Sequence, residues 1–69
     1  MDRDERKVLE ALEARPLMAG EIQGQTGLEA AAVTRLLLTL QAQGLVTWDV
    51  TADRGVWMLT SAGQDTIGL

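Results

Sequence analysis

The chain has 69 residues and a net charge of −4 at pH 7, and its 46% apolar content allows one small core, so a single domain over residues 1–69 is predicted. Because cysteine and histidine are both absent, disulfides, the usual zinc sites, thiol nucleophiles and the commonest general base are excluded, and we expect a binding protein without metal or cofactor rather than an enzyme. No stretch approaches the roughly 20 apolar residues that span a bilayer, which predicts no membrane contact and a cytoplasmic location.

Two helices are predicted in the N-terminal third. Apolar residues at helical spacing indicate a first helix over residues 4–15, and Pro16 disfavours helical geometry at the residue before it. Leu17 and Met18 then connect to a short second helix over residues 19–25. This second helix contains two glycines, so we expect its stability to come from tertiary packing.

The strongest helical signal covers residues 29–43, where four apolar residues recur at steps of three and four: Val33, Leu36, Leu37 and Leu40. Of these, Val33, Leu37 and Leu40 are predicted to be buried. Gly27 in the preceding turn permits the left-handed backbone that ends a helix, and Gly44 stands where a C-terminal glycine belongs. Leu38 lies off this stripe. It is therefore expected to be exposed.

After the third helix, β-branched and aromatic residues predict two strands. Residues 45–50 and 56–60 flank a polar, glycine-containing loop, a pattern typical of an antiparallel hairpin. Trp48 and Trp57 fall on facing strands, where packing within the core and across the hairpin is favoured. The alternative role for this pair is a platform on which nucleic acid bases stack.

One further helical turn or two is predicted over residues 62–67, since Ser61 and Gln64 fit a capping box. The predicted order is therefore three helices, a two-stranded hairpin and a short C-terminal helix. A helix-turn-helix pair occurs in many folds, and the hairpin directly after the third helix narrows the class. The fold class is predicted to be α+β, a winged helix-turn-helix.

Several segments follow the pattern of a known superfamily: Arg6-Lys7-Val8-Leu9-Glu10-Ala11-Leu12, Glu21-Ile22, Thr26-Gly27-Leu28, Val33-Thr34-Arg35-Leu36-Leu37, Leu40, and Gly44-Leu45-Val46. They resemble the winged helix-turn-helix of bacterial and archaeal transcription regulators. The closing segment, residues 57–63, resembles the leucine-threonine and glycine end of the wing in MarR-type regulators. A similar layout occurs in the C-terminal domain of DNA-processing protein A and in the N-terminal domain of the phenylalanyl-tRNA synthetase α subunit.

The resemblance implies a DNA-binding domain of transcription-regulator type, with double-stranded DNA as partner. It assigns the helix over residues 29–43 to the major groove and the hairpin loop to the flanking phosphates. The groove-facing positions that follow from it are Glu29, Ala30, Ala31, Thr34 and Arg35. The corresponding positions on the wing are Thr51, Asp53 and Arg54.

The alternative is a winged helix that has lost its basic face and binds protein. Counterion release to Lys and Arg drives DNA binding, and this chain is acidic, with Arg35 and Arg54 its only cations on the expected face. Leu38, together with the alanines at the start of the third helix and Leu17 or Met18, would complete an apolar patch of the kind that marks protein contacts. Such a domain would meet a protein partner or a second copy of itself.

Overall fold

The residues described by a computed structural model are 2–50 and 55–68, and they form helices packed beside a two-stranded sheet. The elements in chain order are α1 (Arg3–Glu13), α2 (Ala19–Thr26), α3 (Ala30–Ala42), β1 (Val46–Asp49), β2 (Val56–Leu59) and α4 (Ser61–Gly68). This order is the predicted α+β winged helix-turn-helix. No helix in the described ranges combines the length and the apolar character needed to cross a membrane.

The two predicted turn glycines have the expected backbone. Gly27, after α2, and Gly44, after α3, have left-handed φ angles of 76° and 77°. The N–H of Gly27 donates to the carbonyl of Gln23 at 3.0 Å, which closes the last turn of α2. Both helices therefore end at glycines because only glycine adopts this conformation without a steric cost.

The hairpin is antiparallel, as predicted, and Trp48 lies directly opposite Trp57. Their ring centroids are 5.0 Å apart with an angle of 57° between the planes, a tilted aromatic pair. This geometry confirms the cross-strand packing predicted for the two tryptophans. Trp48 nevertheless stays 42% exposed, so only part of the pair belongs to the core.

Leu17 corrects one prediction from the sequence. Its N–H donates to the carbonyl of Trp57 at 3.0 Å, and the N–H of Trp57 donates back at 2.7 Å, forming an isolated β-bridge. Leu17 is completely buried, so it offers no surface to a protein partner. The connection between α1 and α2 therefore pairs with β2 through a single residue, Leu17, in antiparallel orientation.

The core lies between the first three helices and the hairpin. Ten buried apolar residues form it: Val8, Leu9, Leu12, Leu17, Ile22, Val33, Leu36, Leu37, Leu40 and Val46. The three residues of α3 that were predicted to be buried are all among them, together with Leu36. Leu38 is 55% exposed, which confirms the predicted helical phase.

The start of α4 differs from the capping box predicted at Ser61. Thr60 is the residue that caps this helix, because its Oγ1 accepts the N–H of Gly63 at 3.1 Å. The same hydroxyl donates to the carbonyl of Gly44 at 2.6 Å, joining the end of α3 to the start of α4. Gly63 is buried, and a Cβ there would collide with the carbonyl oxygen of Leu45. Thr60 and Gly63 thus hold the start of α4 close to Gly44 and Leu45, the residues that lead from α3 into β1.

Candidate nucleic-acid interface

Glu21 makes two contacts near the start of α2. One of its carboxylate oxygens accepts the N–H of Met18 at 3.0 Å, and the other accepts the guanidinium of Arg15 at 3.3 Å. The first bond satisfies a free N–H at the start of α2, which is half of a capping box. Glu21 therefore links the connection that follows α1 to the first turn of α2.

The turn between α2 and α3 is held by Thr26. Its hydroxyl donates to the carbonyl of Ile22 at 2.8 Å and accepts the N–H of Leu28 at 3.3 Å. Leu28 is partly buried against the core. These contacts hold the turn from which the chain enters α3.

The exposed surface of α3 opposite its core stripe is called here the outward face, and it comprises Ala30, Ala31, Thr34, Arg35, Leu38 and Gln41, all exposed. Four residues predicted for DNA contact lie on it. Leu38, predicted for protein contact, lies on the same face, one helical turn beyond Thr34. The two functional hypotheses therefore use one surface rather than two.

The charge distribution around α3 is sparse. Arg35 is the single charged residue within the helix, and Glu29 stands just before it as an exposed N-cap whose side chain makes no capping hydrogen bond. The other described cations all precede α2, where Arg6 pairs with Glu10 at 3.2 Å and Arg15 with Glu21. The outward face thus carries one positive charge and no negative one.

An open apolar groove of about 410 Å³ runs between α3 and the hairpin. It is called here the aromatic groove, and its lining residues are Ala19, Thr34, Leu37, Leu38, Gln41, Trp48 and Trp57. None of these side chains is charged. Thr34 and Leu38 belong both to this groove and to the outward face, so the two surfaces are continuous.

Residues 7–50 match the sequence profile of the IclR helix-turn-helix domain, which is more than half of the chain. The chain belongs to the IclR helix-turn-helix domain family. The described residues fold as a winged helix-turn-helix. A comparison with curated proteins found no match.

Solved structures share the fold of this IclR-type domain. BpsR of Bordetella bronchiseptica superposes with a TM-score of 0.91 at 19% identity, over 99% of this chain and 51% of that one. The MepR–DNA complex of S. aureus gives 0.89 at 20% identity, over 99% and 60%. A MarR family transcriptional regulator from Silicibacter pomeroyi gives 0.87 at 20%, over 94% and 44%. The chain thus spans about half the length of these regulators.

The remaining predicted site residues of the IclR-type domain divide into two groups. Thr51, Asp53 and Arg54, predicted for the wing, lie outside the described residues. Met18 is half-buried at the start of α2, separate from the buried Leu17. Within the described ranges, no cluster of three or more His, Cys, Asp or Glu side chains could hold a metal ion.

Sequence reasoning missed the aromatic groove. The tryptophans were assigned to packing, and Leu38 to a separate patch, because helical and strand periodicities are read one element at a time. The groove forms only when β2 pairs with Leu17 and the hairpin folds against α3. The one available signal was an exposed leucine four residues after a predicted groove-facing threonine.

Proposed function

We propose that this domain binds double-stranded DNA, with α3 in the major groove and the hairpin loop against the flanking backbone. The observation that carries the proposal is the outward face of α3, which is exposed, free of acidic residues and presents Thr34 and Arg35. Membership of a helix-turn-helix family and the likeness in fold to MepR, which was solved with DNA, support it. The proposal takes residues 1–69 as one cytoplasmic domain with no catalytic role.

Each proposed contact follows from side-chain chemistry. Arg35 reads a guanine edge or neutralises a phosphate, and Thr34 offers a hydroxyl that donates and accepts. Ala30 and Ala31 keep the start of α3 narrow, so the backbone approaches the bases closely. Glu29 accepts from a cytosine amino group and disfavours sites that bring a phosphate to the same place.

Two predicted wing residues complete the proposed interface. Thr51 and Arg54 fall in the sequence between β1 and β2, the segment that the resemblance to winged helix regulators assigns to the flanking phosphates. With Arg35, Arg54 gives two cations per domain. Each neutralised phosphate contributes about −0.9 to the slope of log affinity against log salt, so one domain has a slope of about −2 and a pair about −4. Strong binding therefore requires a homodimer or a longer parent chain.

The second candidate function is protein binding, and the 55% exposure of Leu38 favours it. Leu38 and the aromatic groove would meet a partner or a second copy, with Met18 at the margin. Sedimentation at rising protein concentration tests the second-copy form of this candidate. Association that Leu38→Asp abolishes supports it, and a monomer at every concentration contradicts it.

The DNA proposal is tested by titrating a labelled random-sequence duplex at low and moderate salt. We expect a salt-dependent mobility shift, weakened by Arg35→Ala with a slope reduced by about one unit. Arg3→Ala is the matched control, since it removes the same charge from α1, and it should leave the slope unchanged. The absence of any shift at high micromolar protein would contradict the proposal, as would equal losses in both variants.

A further inference from the structure

Leu38 lies where a base-reading residue would lie. It follows Thr34 by four residues and Arg35 by three, so the three side chains share one face of α3. Along the helix axis it is about 6 Å beyond Thr34, less than two base-pair steps. A helix that presents Thr34 and Arg35 to base edges therefore brings Leu38 against the same groove.

A leucine in the major groove has one apolar group to meet. Base edges there display acceptors and amino donors, and a leucine that covers them leaves them without hydrogen-bond partners, which costs free energy. The exception is the C5-methyl group of thymine. Burying that methyl against Leu38 removes apolar surface from water on both sides.

The surroundings of Leu38 extend this apolar contact. On the side toward the hairpin, Leu38 lines the aromatic groove with Trp48 and Trp57, where no charged side chain is present. On the side toward the start of α3, Ala31 places a further methyl group on the outward face, two turns away. The outward face thus joins one cation to a strip of apolar surface.

We infer that Leu38 is a specificity-determining residue that reads thymine methyl groups, so the preferred duplex carries a thymine where Leu38 enters the major groove. The inference rests on the proposed DNA-binding function and narrows its substrate class. It also gives the exposed Leu38 a role in DNA recognition on the same face of α3 as Arg35. The predicted preference is for the 5-methyl group itself rather than for an A·T pair.

The test separates the methyl group from the base pair. A duplex selected from a random pool is resynthesised with each thymine in turn replaced by deoxyuridine, which removes only the methyl. We expect about fourfold weaker binding at one or two positions, the factor for one buried methyl-sized group. At those positions, 5-methylcytosine paired with guanine should bind more tightly than cytosine by a similar factor.

Leu38→Ala assigns the effect to its residue. The side chain is more than half exposed, so the variant should fold as the parent does, which thermal melting checks. In this variant, thymine and deoxyuridine should bind equally at the sensitive positions. Indifference of the parent to deoxyuridine throughout, or an equal loss in parent and variant, would overturn the inference while leaving DNA binding intact. Selection of no duplex at all would overturn the proposed function and the inference together.

Discussion

Helices α1 and α3 bury similar stripes of valine and leucine, but their exposed surfaces differ in the number of charged residues. Seven of the 11 residues of α1 are charged, with both signs present, against one of the 13 residues of α3, so every acidic residue of the chain lies outside α3. Six of the ten acidic residues precede Ile22. The net charge of −4 therefore describes the chain and not the outward face of α3.

The largest expected effect concerns the two faces of α3 itself. Leu37 is 1% exposed, and Leu37→Ala should lower the free energy of unfolding by about 2–5 kcal/mol through lost burial and a cavity. In so small a domain this loss approaches the whole stability. Leu38→Ala is the matched control and should change stability by less than about 0.5 kcal/mol. Chemical denaturation in which both variants lose equally would show that α3 is rotated from the described phase.

The next effect tests the close packing of Gly63 in α4 against the carbonyl group of Leu45, just before β1. In Gly63→Ala, the added methyl group meets the carbonyl of Leu45, and we expect a loss of roughly 1–3 kcal/mol. Gly24→Ala on α2 is the control, because nothing lies within 4 Å of the position and alanine favours the helix by about 0.5–1 kcal/mol. Thermal melts should therefore move in opposite directions. A stabilised Gly63→Ala variant would mean that α4 packs less closely against Leu45 than the structure shows.

A smaller effect is expected from removing the negative charge of Glu29, which directly precedes α3, and it is compared with the same change in α1. Glu29→Gln removes a negative charge at the start of α3 and should raise affinity for random-sequence duplex at low salt by at most about fivefold, the factor for two unit charges at contact distance in water. It should also blur sequence preference. Glu13→Gln makes the same change on α1, and we expect unchanged affinity. If the two variants bind alike in parallel titrations, the charge difference between α1 and α3 has no part in docking.

The smallest effect lies on α1. Arg6 and Glu10 form an exposed ion pair one turn apart, a geometry that contributes about 0.3–0.5 kcal/mol. Glu10→Gln should cost no more than this, and the cost should vanish at high salt. Denaturation at two salt concentrations measures it. A loss that persists in salt would point to packing rather than charge on this face.

The sequence was sufficient for the elements and for the phase of α3, because the stripe of Val33, Leu36, Leu37 and Leu40 leaves one face for the core. It was insufficient where distant segments meet. Leu17 was expected on the surface since a two-residue connection has no periodicity, and its bridge to Trp57 spans 40 residues of chain. Thr60 and Ser61 can each cap a helix, and the bond to Gly44 that favours Thr60 is tertiary.

The candidate site shows the same division. Thr34 and Arg35 were assigned to a groove-facing surface from the resemblance alone, and the structure brings them together on the outward face. Leu38 was correctly expected to be exposed but was assigned to a different kind of surface. Its position beside these two residues depends on the helical phase, whereas the aromatic groove behind it depends on how the hairpin closes.

The central claim is that the sparsely charged face of α3, and not the charged face of α1, meets DNA. The most direct measurement is the change in backbone amide chemical shifts of the isotope-labelled domain on titration with duplex DNA at low salt. The account predicts that the shifts concentrate on Thr34, Arg35 and Leu38, weaken with added salt, and spare residues 3–13. Shifts concentrated on α1, or an unperturbed α3 at saturating duplex, would contradict it.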